Sequence, residues 1–195
     1  MMQDLSRYSS RRCQFVLLIV TLICLQLIFT MPIMTSSVLA ETANLDMTPV
    51  RLIIPSIHLD ATVEAVGQDA QGYAGVPQNS QNVAWYNVGP TPGEQGNAVI
   101  SGHLDDKVGP AVFWHLGNVK VDDTVTVVDQ SGVERTFKVI EVAIYPYKEA
   151  PLHKIFGFDL EYDLNLITCT GVWNHKTHTY SQRLIVYTRL VPPTP

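Results

Sequence analysis

Apolar positions along the chain fall into two regimes. From Cys13 to Ala40 there is no charged residue, and Phe15 to Met31 reads FVLLIVTLICLQLIFTM with hardly a polar break. Beyond residue 50 the apolar residues come instead in short runs: RLIIPSI (51–57), ATVEAV (61–66), NAVISGH (97–103), TVTVVDQ (124–130), ERTFKVIEVAIY (134–145), LNLITCT (164–170) and RLIVYTRL (183–190). Enrichment in Val, Ile, Thr and Tyr marks these runs as strands. Alternation is clearest at Val125/Val127 and Phe137/Val139, and Asp129 to Gly132 supplies a hairpin turn between them. Helical signals are brief: Pro110 to Leu116 begins with a proline suited to a first turn and stops at Gly117, and Ala150 to Phe156 has room for one turn. Seven or eight strands, with no internal repeat and no strand–helix alternation, predict an all-β domain built as one antiparallel barrel or closed sandwich.

The first regime is membrane material. As a helix its 17 residues rise about 25 Å, and continuation to Met34 approaches the roughly 30 Å hydrocarbon thickness. Arg7, Arg11 and Arg12 precede it, whereas Glu41 and Asp46 follow, so the positive-inside rule predicts a single pass with the N-terminus cytoplasmic. The expected organisation is a cytoplasmic tail (1–12), a transmembrane anchor (13–34), a polar linker (35–49) and an extracellular domain (50–195) at the cell membrane. A cleaved signal peptide is the rival, since Val38-Leu39-Ala40 offers small residues for a peptidase. The apolar run exceeds the usual signal-peptide length, which favours the anchor, and both readings put the domain outside.

Charge narrows the function classes. The whole chain carries a formal net charge of −5, and residues 41–195 hold 10 Lys and Arg against 17 Asp and Glu. An acidic exported domain argues against a nucleic-acid partner and leaves only the apolar segment to hold a membrane. Cys169 is the one cysteine of the exported part, Cys13 and Cys24 lying in or beside the apolar segment. In an oxidising space an unpaired cysteine is an inert buried thiol, an intermolecular bridge or a nucleophile, and the count alone leaves all three open.

Position favours use of Cys169. Its apolar run ends at the cysteine and Gly171 opens a polar segment, so the thiol is expected at a strand's rim. A thiol near its ordinary value is mostly protonated at neutral pH and needs an imidazole or cation beside it. His103 repeats the same geometry, at the end of the run NAVISGH and followed by Asp105 and Asp106. Arg183 opens the last run and could donate to an oxyanion without changing protonation. Judged singly, a rim histidine and a strand-end arginine without roles remain equally available, and Arg189 shows that arginine occurs on that strand anyway.

Taken in order, NAVISGHLD, LITCTG and QRLIVY, with His before Cys and Arg fourteen residues after it, resemble the sortases, membrane-anchored cysteine transpeptidases of bacterial surfaces. The stretches RLIIPSIHLDATVEAVG, VAWYNVGPTPGEQGNAVISGHLD and GPAVFWHLGNVKVDDTV are most similar to class F sortases. The resemblance implies an eight-stranded β-barrel with Cys169 as nucleophile, His103 as acid/base and Arg183 as oxyanion or substrate donor, converging at one mouth of the barrel. Thr168 falls where substrate contact is expected, and Asp105 where an acidic residue often follows Gly-His, orienting His103 being one of its possible jobs. Implied partners are surface proteins bearing a C-terminal sorting signal and an amine acceptor, either a cell-wall precursor or a pilin lysine.

No cofactor is expected, for the acidic domain lacks a calcium-ligand cluster of EF-hand spacing. His175 and His178 match no sortase motif, and as a bare HxxH pair they are a weak signal for zinc. The Ser-His-Gly-Cys motif of L,D-transpeptidases is absent, and NlpC/P60 hydrolases place cysteine before histidine, the reverse of this chain. A noncatalytic exported barrel that binds a partner is the alternative from another class. Trp85 and Trp114 are expected in the core, and Trp173, in the loop after Cys169, in either core or groove.

Overall fold

The computed structural model describes residues 46–70 and 72–192. The expected cytoplasmic tail and anchor lie outside these residues; among those described, no helix is long and apolar enough to cross a membrane. Eight strands form the fold: β1 (Pro49–Ile54), β2 (Leu59–Val66), β3 (Val83–Tyr86), β4 (Gly96–Ser101), β5 (Thr124–Asp129), β6 (Glu134–Pro146), β7 (Tyr162–Asn174) and β8 (Thr179–Leu190). They close into a barrel in the order β1-β2-β3-β4-β7-β8-β6-β5, with β5 returning to β1. The expectation of a purely antiparallel sheet is corrected, since β2 pairs with β3 and β4 with β7 in parallel. Parallel neighbours need long crossovers, which the connections 67–82 and 102–161 supply.

Period-two patterning sets what lies inside. Leu52, Ile54, Val125, Val127, Phe137, Val139, Leu164, Leu166, Leu184 and Val186 form one cluster, each no more than 4% exposed. The alternate residues of β4, β7 and β8 point outward, yet several are buried because α1 (Leu152–Phe156), in the connection from β6 to β7, covers them. Ile155 of α1 packs with Val99, Ile185 and Tyr187 in a second apolar cluster. This explains why Asp163 to Leu166 is buried without alternation: the wall is covered on both faces.

Several local expectations shift. The predicted helix 110–116 is a run of turns ending in a 3-10 turn at Leu116–Asn118, with Trp114 N–H donating to Ala111 O and Leu116 N–H to Phe113 O. Phe113 takes the interior place in this run at 0% exposed, leaving Trp114 46% exposed and outside the core. Trp85 is buried as expected, its indole N–H donating to Pro90 O. The first apolar run stops as a strand at Ile54, where Pro55 begins a 3-10 turn through Ile57.

One buried charge pins the β5–β6 hairpin. Asp129, 1% exposed, accepts from Arg135, Ser131 and the Val133 N–H. Burial alone pushes its carboxyl up, but these donors, led by Arg135, carry it down to about 2. A carboxylate held below its ordinary value contributes stability above that value and loses it as pH falls through about 2. Asp129→Ala is therefore expected to destabilise by about 2–3 kcal/mol near neutral pH, because it orphans Arg135. Urea titrations at pH 7 and pH 2.5 check this, the difference between variant and wild type narrowing at the lower pH.

Candidate active site

Residue parity decides where the chemistry sits. In β4, Val99 and Ser101 face outward and His103 continues their line; in β7, Asn165 and Ile167 lead to Cys169; in β8, Tyr187 and Ile185 lead back to Arg183. Cys169 and Arg183 are direct cross-strand partners, which puts both side chains on one face of the sheet. The expected convergence at a barrel mouth is thus corrected: the three groups meet on the outer wall. Cys169 is also not at a strand's end, for β7 runs on to Asn174 and β8 already starts at Thr179, so the pair stands mid-ladder.

Two glycines make this arrangement possible. Gly102, before His103, lies against the core, where a Cβ would stand 2.6 Å from Phe113 Cδ2 and 2.8 Å from Val112 Cγ1. Gly171 has φ 87°, in the left-handed region, and sits in the irregularity of the β7–β8 ladder between Thr170 and Trp173. That bulge re-aims the hairpin arm beyond the cysteine.

His103, Thr168, Cys169 and Arg183 line one cavity of about 550 Å³, walled largely by Tyr86, Val99, Ile167, Leu152 and Phe156. A second cavity, of about 810 Å³, shares His103 and Cys169 with the first and is lined further by a mixture of apolar, aromatic and charged groups, among them Leu104, Asp105, Asp106, Lys107, Trp173 and Tyr180. The thiol and the imidazole are thus common to both cavities.

Each predicted residue has a definite setting. Thr168 is buried, and its hydroxyl donates to Gly102 O at 2.8 Å, tying β7 to the segment that carries His103. Gly102 N–H in turn donates to Ile167 O, and Phe113 N–H to His103 O, so the histidine's backbone is held on both sides. Arg183 Nη1 donates to Tyr180 O and Gln182 O, Nη2 donates to Thr179 Oγ1, and the guanidinium lies over the Tyr147 ring at 4.4 Å. A guanidinium has five N–H donors, so this anchoring leaves some for a substrate carbonyl. Asp105 does not hydrogen-bond His103; its Oδ2 accepts from the Tyr180 hydroxyl at 2.5 Å. That bond, chiefly, pushes the Tyr180 phenol up to about 12.

Burial pushes the Cys169 thiol up, and the Asp105 charge adds to this, while Arg183 pulls it down. The net direction is upward, so the thiolate is a minority species at neutral pH and the rapid labelling expected of an activated thiol is not what this setting favours.

His175 and His178 stand at the hairpin tip, edge-on to Trp173 at centroid distances of 6.5 and 6.3 Å. Among the described residues no three His, Cys, Asp or Glu side chains gather to hold a metal ion. Trp173 is 39% exposed and lines the second cavity. Tyr180 escaped the sequence reading, because nothing local to KTHTYSQR shows that its hydroxyl reaches a carboxylate 75 positions away.

An eight-stranded barrel carrying a thiol and a guanidinium as cross-strand partners, with an imidazole on the adjoining parallel strand's extension, defines a recognisable class of cysteine enzyme. The sortase domain matches residues 52–191, and the chain belongs to the sortase family, whose members are cysteine transpeptidases. No curated protein matches the chain. Solved structures similar in fold include a lid mutant of sortase A from Corynebacterium diphtheriae (21% identity over 76% of this chain and 72% of that one, TM-score 0.59). Sortase C-1 from Actinomyces oris is similar at 24% identity over 76% of this chain and 77% of that one, TM-score 0.59. Sortase C1 from Streptococcus agalactiae is similar at 20% identity over 74% of this chain and 68% of that one, TM-score 0.58.

Two outcomes follow for the thiol and its neighbours. Replacing Arg183 by Gln removes the charge that favours the thiolate, so iodoacetamide alkylation of Cys169 is expected to slow severalfold at pH 7 and its rise to move to higher pH. Alkylation rates between pH 6 and 10, read by mass spectrometry, check the sign. Gly102→Ala is expected to cost about 1–3 kcal/mol by overpacking against Phe113 and to shift His103; thermal unfolding beside peptide-cleavage rates separates the two effects.

Proposed function

We propose that this chain is a membrane-anchored, extracellular transpeptidase of the class F sortase type. It cleaves a sorting-signal peptide through an acyl-enzyme thioester and transfers the acyl group to an amine. The observation that carries the reading is the meeting of Cys169, His103 and Arg183 at a cavity with an apolar wall, with a second cavity sharing the thiol and imidazole.

Cys169 passes its proton to His103 and the sulfur attacks the scissile carbonyl carbon. Arg183 donates to the oxygen that becomes negative, in a partly desolvated setting where such a donor counts for most. The C–N bond then breaks as His103 returns the proton to the leaving nitrogen, and a thioester remains. An acceptor amine attacks that thioester, loses a proton to His103, and releases the product as the Cys169 thiol is restored. Water in place of the amine gives hydrolysis.

The acyl part of the donor suits the apolar cavity, which Tyr86, Val99, Ile167 and Phe156 help to wall. The leaving amine and the entering amine occupy one side by microscopic reversibility, and the second cavity, which shares Cys169 and His103, is the side we assign to them. Acceptors of the proposed kind are a cell-wall precursor or a pilin lysine. Class F rests on the sequence stretches quoted above, and anchoring at the cell membrane on the apolar segment 13–34 with its preceding arginines.

A library of fluorogenic peptides with varied pentapeptide cores, offered to residues 46–195 with triglycine or Nα-acetyl-lysine amide, tests the reading. Cleavage, an acyl-enzyme mass on Cys169, and amide product that increases with amine are expected. Cys169→Ala is expected to reduce cleavage at least a thousandfold. No cleavage of any library member would support the noncatalytic barrel instead, and cleavage undiminished in Cys169→Ala would remove Cys169 as the nucleophile.

A further inference from the structure

We propose that Tyr180 is a positioning residue for this site, a clasp that sets the distance between the segment carrying His103 and the hairpin carrying Cys169 and Arg183. The inference rests on the transpeptidase reading for its kinetic consequence, but the clasp itself is a physical contact that can be read without substrate.

Tyr180 engages three partners with three different groups. Its hydroxyl donates to Asp105 Oδ2 at 2.5 Å, two residues beyond His103. Its carbonyl accepts from Arg183 Nη1 at 3.1 Å. Its ring packs edge-on against Trp173, its cross-strand partner, at a centroid distance of 5.1 Å. One residue thus joins the guanidinium on β8, the arm of β7 beyond the bulge, and the loop that follows β4.

The need for such a joint follows from the topology. His103 and Cys169 lie on neighbouring parallel strands whose ladder ends at Ser101 and Ile167. Beyond that point the Gly102 N–H to Ile167 O and Thr168 hydroxyl to Gly102 O bonds continue the connection, both on the barrel side of His103. On the far side, the Tyr180–Asp105 bond is the contact that crosses from hairpin to loop next to the imidazole. Within the loop Asp106 Oδ1 accepts from the N–H groups of Val108 and Gly109 and Ala111 N–H donates to Leu104 O, and Asp106 also accepts from the Ser80 hydroxyl, which ties the loop to the segment before β3. With the loop braced against residues 80–81 on one side, the Tyr180–Asp105 bond is what ties it to the hairpin and sets where His103 stands relative to the thiol.

Tyr180→Phe deletes one oxygen and keeps the ring on Trp173. With the best-cleaved library peptide as probe, this variant is expected to lose about tenfold in kcat with KM within about twofold, the signature of a group misplaced in the transition state rather than of lost binding. Asp105→Ala is expected to lose a similar factor, the double variant no more than either alone, and Asp105→Asn, which can still accept from the phenol, to recover most of the loss. In hydrogen exchange without substrate, amides of residues 103–109 are expected to exchange faster in Tyr180→Phe while those of β5 and β6 do not change. Unchanged exchange in the loop overturns the clasp. An unchanged kcat, or losses that multiply in the double variant, overturns its role in positioning. Should the wild type cleave nothing, the transpeptidase reading fails, and with it the kinetic role, while exchange still decides whether the clasp exists.

Discussion

The register between β7 and β8 is the constraint on which the site depends. Cys169 faces Arg183 across a ladder that extends on both sides, from Asp163 opposite Arg189 to Asn174 opposite Thr179. A slip of one residue would turn Cys169 into the barrel and bring Thr168 or Thr170 opposite the guanidinium. Buried apolar residues forbid that slip: Leu164, Leu166, Leu184 and Val186 all belong to the interior cluster, and moving them outward would expose the core of the barrel. The energy that fixes the chemistry is therefore spent in the core, on residues of opposite parity to those that react.

That division of labour also explains the electrostatics. The reactive face is covered in part by α1 and its loop, so the thiol is desolvated enough for its proton to be held more tightly, and the cation that opposes this is a guanidinium that stays charged. A site of this kind trades a large reactive population for a donor that cannot lose its proton. Its selectivity comes from the shape of the covered wall and from what enters the second cavity.

Much of this was legible in the chain. Alternation at Val125/Val127 and Phe137/Val139 located β5 and β6 because at these positions one face meets the core and the other is less buried. The order of Gly-His, Thr-Cys and Arg pointed to the groups that do share a cavity. What escaped was long-range. Strand β3 is four residues in a turn-rich stretch, and only pairing with β2 and β4 makes it a strand. Parallel pairing of β4 with β7 leaves no local mark, and without it the outer wall cannot be told from a barrel mouth. Trp114 went to the surface because Phe113, its neighbour, filled the interior position that only one of two adjacent side chains could take.

The barrel's closure has a temporal side. β8 is the last of the described strands in sequence yet sits between β7 and β6, and it supplies the guanidinium. A nascent polypeptide that has emerged through Cys169 but not through Leu190 has its nucleophile without its electrostatic partner and without one wall of the sheet. The reactive pairing therefore forms only when β8 slots between β7 and β6, so the step that completes the sheet is also the step that assembles the centre.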